Sequence, residues 1–147
     1  MSTNTSDHPA FVDRAQPETL RGRALLASLT VNDLRKSLAW YRDVVGFVVQ
    51  REYEREGALM AVALKAGVVR LLLTQDDGAK GLDRVKGAGM SLTITTVQDL
   101  DQMAARIKER GGTLASEPAD MPWGPRVFRL KDPDGFTLVI SSEIPDA

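Results

Sequence analysis

A-S-L-T-V-N-D-L-R-K-S-L-A-W-Y-R-D-V-V-G-F, residues 27–47, and S-L-T-I-T-T-V-Q-D-L-D-Q-M-A-A-R-I-K-E-R-G-G-T, residues 91–113, follow one plan. Each is an alternating apolar-polar run, then Asp-Leu, then an amphipathic stretch that stops at glycine. Asp33 precedes Gly46 by 13 residues, and Asp99 precedes Gly112 by 13. A further glycine stands before the closing strand of each half: Gly67, 21 residues after Gly46, and Gly135, 23 after Gly112. A duplicated unit of this kind builds a pseudo-symmetric cavity between its copies, and the lining of that cavity decides the function.

The periodicities assign the elements. A strand over 24–31 puts Leu26, Ser28 and Thr30 on one face and Ala27, Leu29 and Val31 on the other. Asn32 or Asp33 caps a helix whose apolar stripe is Leu34, Leu38, Tyr41 and Val45. Gly46 ends that helix because glycine tolerates the left-handed conformation there. Strands are expected at 47–53, 59–65 and 68–74, with turns at E-R-E-G (54–57) and A-G (66–67). The second half repeats the order. A strand over 90–97 leads to a helix capped by Asp99, with stripe Leu100, Met103, Ala104 and Ile107, ended by Gly111-Gly112. Strands at 113–116, 126–130 and 136–142 follow, with D-P-D-G (132–135) as a turn. The fold class is α+β, in two βαβββ modules. The first module covers 23–75 and the second 90–147, joined by a glycine- and charge-rich linker at 76–89. Residues 1–22 are polar, hold two prolines and show no period, which predicts a disordered tail.

Composition excludes several classes. The 147 residues suffice for one domain burying about 68–70% of its unfolded surface, so no disulfide or structural metal is needed. With 19 basic and 20 acidic residues, no global field recruits nucleic acid or an anionic membrane. The lack of cysteine excludes disulfides, thiolate metal sites and a cysteine nucleophile. No apolar run approaches the ~20 residues of a membrane span, and no basic-then-apolar leader opens the chain, which points to the cytoplasm. The single histidine is His8, in the tail, so a Ser-His-Asp triad is not available. Phosphate-cradling glycine motifs are also missing.

N-D-L-R-K-S-L-A-W-Y-R-D-V-V-G-F (32–47) and P-W-G-P-R-V-F-R-L-K-D-P-D-G-F-T-L (122–138) resemble the vicinal oxygen chelate superfamily, which includes glyoxalase I, bleomycin-resistance proteins, fosfomycin-resistance enzymes and extradiol dioxygenases. The likeness runs from about Ala24 to Ser142. It implies paired modules whose sheets form a half-open, eight-stranded barrel with a central cleft, and two chains that commonly complete each other's sites.

The resemblance implies a divalent metal held by His and Glu, or by His, Gln and Glu, at fixed places in the family's enzymes. By the resemblance those places are Leu26, seven residues before the capping Asp; Leu92, or Ser91 if the strand bulges; Val139, seven after the Asp of D-P-D-G; and Leu71 or Leu72. None is a ligand for a transition metal, which needs imidazole, thiolate or carboxylate donors. The resemblance thus brings the fold and the pocket's location, and the residues withhold the metal chemistry. Asp76-Asp77 and Glu52, Glu54 and Glu56 are acidic but read as solvated turn and edge-strand charges.

Ser28 and Thr30, matched by Ser91 and Thr93 in the second half, suit the polar lining of a ligand cavity. Trp123, between Pro122 and Gly124, is expected on the pocket wall, where its ring offers a large contact area. Arg126 and Arg70 are candidates to meet an acidic ligand, Arg70 because it interrupts the apolar run V-V-R-L-L-L. Trp40 and Tyr41 are assigned to helix–sheet packing. The expected ligand-binding set is Leu26, Ser28, Thr30, Arg70, Leu72, Ser91, Thr93, Trp123, Arg126 and Val139, with no catalytic or metal residue and no cofactor. The chain is read as a metal-free binder of a small organic molecule, and a homodimer because open sheet edges are usually covered. The alternative is a glyoxalase-like lyase or dioxygenase with displaced ligands or metal-independent chemistry.

Overall fold

A computed structural model describes residues 18–143; the expected tail falls outside these, apart from 18–22. The first module comprises β1 (Leu26–Val31), α1 (Leu34–Ala39) continued by a π-helical turn (Trp40–Val45), β2 (Val48–Arg55), β3 (Ala58–Ala66) and β4 (Val69–Gln75). The second comprises β5 (Ser91–Thr96), α2 (Leu100–Glu109), β6 (Leu114–Asp120), β7 (Arg126–Lys131) and β8 (Thr137–Ser142). The order is βαβββ, twice, as the patterning predicts. The strands form two four-stranded sheets, ordered β1-β4-β3-β2 and β5-β8-β7-β6, which do not close. In each, the first strand runs parallel to the last and the other pairs are antiparallel.

One face of each sheet is committed to the core. Leu29, Val62, Leu73, Phe128, Leu130 and Leu138 are at most 1% exposed and belong to one cluster that spans both modules. Both helices start where the sequence places a cap: Asp33 accepts from Lys36 N at 3.2 Å and Asp99 from Gln102 N at 3.0 Å. Burying the stripes Leu34/Leu38/Tyr41 and Leu100/Ala104/Ile107 then fixes each helix on its sheet. The helical segments also meet each other. A Cβ on Gly112 would lie 2.6 Å from both Val44 Cγ1 and Ile107 Cγ2, so only glycine fits where the modules touch.

Two local departures from the sequence reading have physical causes. The first helix ends in a wider π turn, in which Gly46 N and Phe47 N both donate to Tyr41 O, at 3.0 and 2.8 Å. Phe47, expected to open a strand, instead enters the core, its ring edge-on to Tyr41 with centroids 5.6 Å apart. Strand β6 runs on to Asp120 through Pro118, past the expected end at 116. A proline is tolerated there because β6 is an edge strand and its register slips between Ser116 and Ala119.

The D-P-D-G turn ties the modules together. Asp132 Oδ1 accepts from the amides of Asp134 and Phe136 at 2.9 and 2.8 Å, and its Oδ2 accepts from the Tyr41 hydroxyl at 2.8 Å. Asp134 Oδ1 accepts from Asn32 N at 2.9 Å and its Oδ2 from Ser37 Oγ at 3.3 Å, so the second module's turn sits on the start of the first module's helix. Burial, with the Asp132 carboxylate alongside, pushes the Tyr41 hydroxyl far above the phenol range. Burial also raises Asp132, against the three hydrogen bonds that oppose the shift.

Asp76 corrects the reading of the acidic pair as solvated: its side chain is 3% exposed and bonded to Arg84 at 2.7 Å and Lys86 at 2.9 Å, while Asp77 remains at the surface. Chain geometry is the reason, because Asp76 N donates to Val31 O at 2.8 Å and turns the side chain inward under the 76–90 segment. The Lys86 ammonium, the Gly78 amide and Arg84 hold Asp76 well below the usual carboxylate range. A carboxyl lowered on folding stabilises the protein above its unfolded value of about 3.9 and loses that contribution as pH falls through the folded value. Asp76→Asn is therefore expected to lower the urea midpoint near neutral pH, with the gap from wild type narrowing below about pH 4. Urea titrations at both pH values check this; a gap of constant size would contradict it.

Candidate functional site

The sheet faces turned away from the core hold most of the expected site residues. On the first sheet, one cross-strand row is Ser28, Leu72, Ala63 and Arg51, and another is Leu26, Arg70, Lys65 and Val48. Thr30 stands beside Thr74 on the same face. On the second, Thr93, Val139, Arg129 and Ser116 form a row, with Ser91, Thr137 and Lys131 next to it. The register settles two alternatives. Leu72 shares the open face while Leu71 is 2% exposed in the core; Ser91 shares it while Leu92 packs against the core, and the one-residue offset lies in the connection at 97–98 rather than in a bulge of β5. The structure thus gathers Leu26, Ser28, Thr30, Arg70 and Leu72 on one sheet face, and Ser91, Thr93 and Val139 on the other.

Trp123 and Arg126 sit apart from these rows. Trp123 projects from a tight turn in which Met121 N donates to Pro125 O at 2.8 Å and Gly124 N to Met121 O at 3.0 Å, with Gly124 at φ +124°. Its ring is 62% exposed, outside the core, at the end of the sheet where β6 passes into β7. Arg126 lies on the helix side. Its guanidinium bonds Asp101 of α2 at 2.9 Å and Asp120 at 3.1 Å, which turns it away from the face of Val139. The alternation of β7 is the cause: Phe128 and Leu130 are buried against α2, so Arg126 shares their side, and Arg129 and Lys131 take the open one.

Sequence reasoning left out Arg51, Lys65, Arg129 and Lys131. The signal for the last two was present in R-V-F-R-L-K, a strand whose apolar and basic residues alternate. Arg51 carries a further contact, its guanidinium carbon standing 5.0 Å from the centre of the Tyr53 ring. Ser116 Oγ, opposite Arg129, is buried without a hydrogen-bond partner among the described residues.

Leu26, Leu72, Ser91 and Val139, the places that the resemblance assigns to metal ligands, all fall on the open faces. Their side chains offer three hydrocarbon surfaces and one hydroxyl, a set that does not fit a divalent ion. No cluster of three His, Cys, Asp or Glu side chains occurs elsewhere among the described residues.

A groove of about 850 Å³ lies between the modules on the helix side, lined by Val45, Val69, Met103, Arg106 and Arg110 among others. It is the counterpart of the D-P-D-G dock: the two-residue Gly67-Val68 turn occupies the equivalent place and contributes no clasping carboxylate. Its lining mixes cations with Asp43 and Glu143, and Asp43 already binds Arg42 at 2.8 Å. None of the ten expected residues reaches it. The groove arises only when the modules pack, from residues distant in sequence. The sheet faces are the stronger ligand candidate, since the family's ligand positions fall there.

Two open four-stranded sheets, each from a βαβββ module with its helix on one side, define the class of fold. The model of the Glyoxalase/Bleomycin resistance protein/Dioxygenase superfamily matches residues 23–140, and the chain belongs to that family. It is 24% identical to the lactoylglutathione lyase GLX1 of Arabidopsis thaliana over 135 residues, which are 88% of this chain and 47% of that protein, so it spans about half the length of that plant relative. It is 25% identical to the lactoylglutathione lyase of Salmonella typhimurium over 122 residues, covering 79% of this chain and 89% of the relative. Among solved structures, TnmS3, an antibiotic binding protein from Streptomyces sp. CB03234, matches with a TM-score of 0.66 at 24% identity, over 84% of this chain and 98% of that one. Among the described residues no helix is long and apolar enough to cross a membrane.

Proposed function

We propose that the protein binds a small organic molecule on its open sheet faces without a metal, as a cytoplasmic homodimer in which the first-module face of one copy meets the second-module face of the other. The observation that carries this reading is that Leu26, Leu72, Ser91 and Val139, the places the resemblance assigns to metal ligands, share the open sheet faces. The fold shared with the antibiotic binding protein TnmS3 supports a binding role. The relatives named lactoylglutathione lyase favour a second reading, a lyase of the same fold. The hydrocarbon at three of the four places counts against it, because an uncompensated divalent charge against apolar surface is very costly.

Metal analysis decides between them. The purified protein is expected to contain no stoichiometric zinc, nickel, manganese or iron, and EDTA is expected to leave its Tm unchanged. A bound equivalent of metal, or a drop of several degrees on chelation, would favour the lyase.

Trp123 is placed on the rim of the binding face in this reading. Trp123→Ala is then expected to weaken ligand binding by about 1–3 kcal/mol, as for an aromatic anchor, with little change in Tm because the ring is 62% exposed. Thermal melts paired with titrations of a bound metabolite recovered from the native host check both halves. Unchanged affinity in the variant would move the pocket away from this loop.

A further inference from the structure

We propose that the ligand is an organic anion: an apolar body carrying carboxylate, sulfonate or phosphate groups that meet a predominantly basic surface on the sheet faces. This deepens the binding role proposed above and rests on it. The chain as a whole is close to neutral, with 19 basic and 20 acidic residues. The open faces are not. The first presents Arg51, Lys65 and Arg70 and the second Arg129 and Lys131, and none of the five takes part in an ion pair among the described residues.

The strands' carboxylates are accounted for elsewhere. Glu52 and Glu54 stand opposite the core residues Val62 and Leu59. Glu117 reaches Lys108 of α2, and Asp120 holds Arg126 on the helix side. Lys65 and Arg70 are direct cross-strand partners, a like-charge pair that destabilises a sheet unless an anion lies between them. Arg129 is half-buried, and it faces Val139 and Ser116 across its neighbouring strands.

A cationic ligand would meet mostly repulsion here, although Asp83 and Asp134 line the same hollow as Ser91, Thr137 and Lys131. A neutral one that covered the faces would desolvate five charges with nothing to compensate them. An anion compensates them directly, and charge-assisted hydrogen bonds from guanidinium are the strongest this surface offers. Leu26, Val48, Leu72, Tyr53 and Val139 supply contact for the apolar body.

The test uses the full chain and two fluorescent probes of nearly equal shape: anilinonaphthalene sulfonate and its uncharged parent, phenylnaphthylamine. The sulfonate is expected to bind at least about tenfold more tightly than the uncharged probe, a preference that shrinks with added salt. The double variant Lys65→Gln/Arg70→Gln and the single variant Arg129→Gln are each expected to reduce sulfonate affinity about tenfold and to leave the uncharged probe within about twofold. Removing the Lys65–Arg70 repulsion should leave Tm unchanged or higher, which separates lost binding from lost folding. Equal affinity for the two probes, or variants that bind the sulfonate as wild type does, would overturn the anion assignment while the binding role stands. Binding of neither probe would overturn both.

Discussion

Asp132→Ala is expected to lower the unfolding free energy by roughly 2–6 kcal/mol, because it strands two groups that are already out of water. The Tyr41 hydroxyl is buried with the Asp132 carboxylate at 2.8 Å, and the Phe136 amide donates to the same carboxyl at 2.8 Å. A buried donor left without an acceptor costs roughly 1–3 kcal/mol, against a smaller net gain when the bond is made. Tyr41→Phe removes the hydroxyl along with its need, so it should cost much less, and the double variant should be more stable than Asp132→Ala alone because no hydroxyl is then left stranded. Urea unfolding of the three variants forms a double-mutant cycle. Strict additivity would mean that Tyr41 and Asp132 do not act as a pair. The cycle also reports on the module contact, since Tyr41 belongs to the first module and Asp132 to the second.

Gly87→Ala is expected to cost roughly 2–5 kcal/mol, combining a left-handed backbone with a clash. Gly87 has φ +76°, and a Cβ built there would lie 2.8 Å from both Gly135 O and Phe136 Cα. Both atoms are backbone, Gly135 closing the D-P-D-G turn and Phe136 following it with its amide held by Asp132, so neither moves aside cheaply. Gly89 provides the control: its φ is +75°, but nothing lies within 4 Å of its hypothetical Cβ. Gly89→Ala should therefore show the conformational cost alone, roughly 1–2 kcal/mol. Similar melting temperatures for the two variants would show that the contact with Gly135 is slack.

The modules were legible in the sequence because their periods are strong: alternation in 26–31 and 91–96, apolar stripes in both helices, and Asp–Gly pairs that bracket them. The identity of the open faces was legible for the same reason, since Ser28 and Thr30 alternate with Leu29 and Val31, which are buried. Arg126 stands on the helix side because strand parity, fixed by Phe128 and Leu130, decides its side and nearness to Trp123 does not. Asp76 looked like a turn charge because its partners Arg84 and Lys86 lie 8 and 10 residues away in a segment without period. The π turn left no local mark, as Trp40–Val45 fits an ordinary helix equally well and only the Tyr41 carbonyl's two donors distinguish it.

The D-P-D-G clasp breaks the symmetry of the duplication, and it gives synthesis on the ribosome a direction. Everything Asp132 needs from its own half is local, in the amides of Asp134 and Phe136. The first half is less self-sufficient: Tyr41, Ser37 and the Asn32 amide find their partners only at residues 132 and 134. The half that leaves the exit tunnel first must therefore wait, its helix start and its buried phenol unanswered, until residues 132–136 have emerged. The later half, though made after the first, holds the template on which the earlier one completes itself, and a nascent chain stalled before Asp132 would present an unfinished first half to the chaperones that meet it.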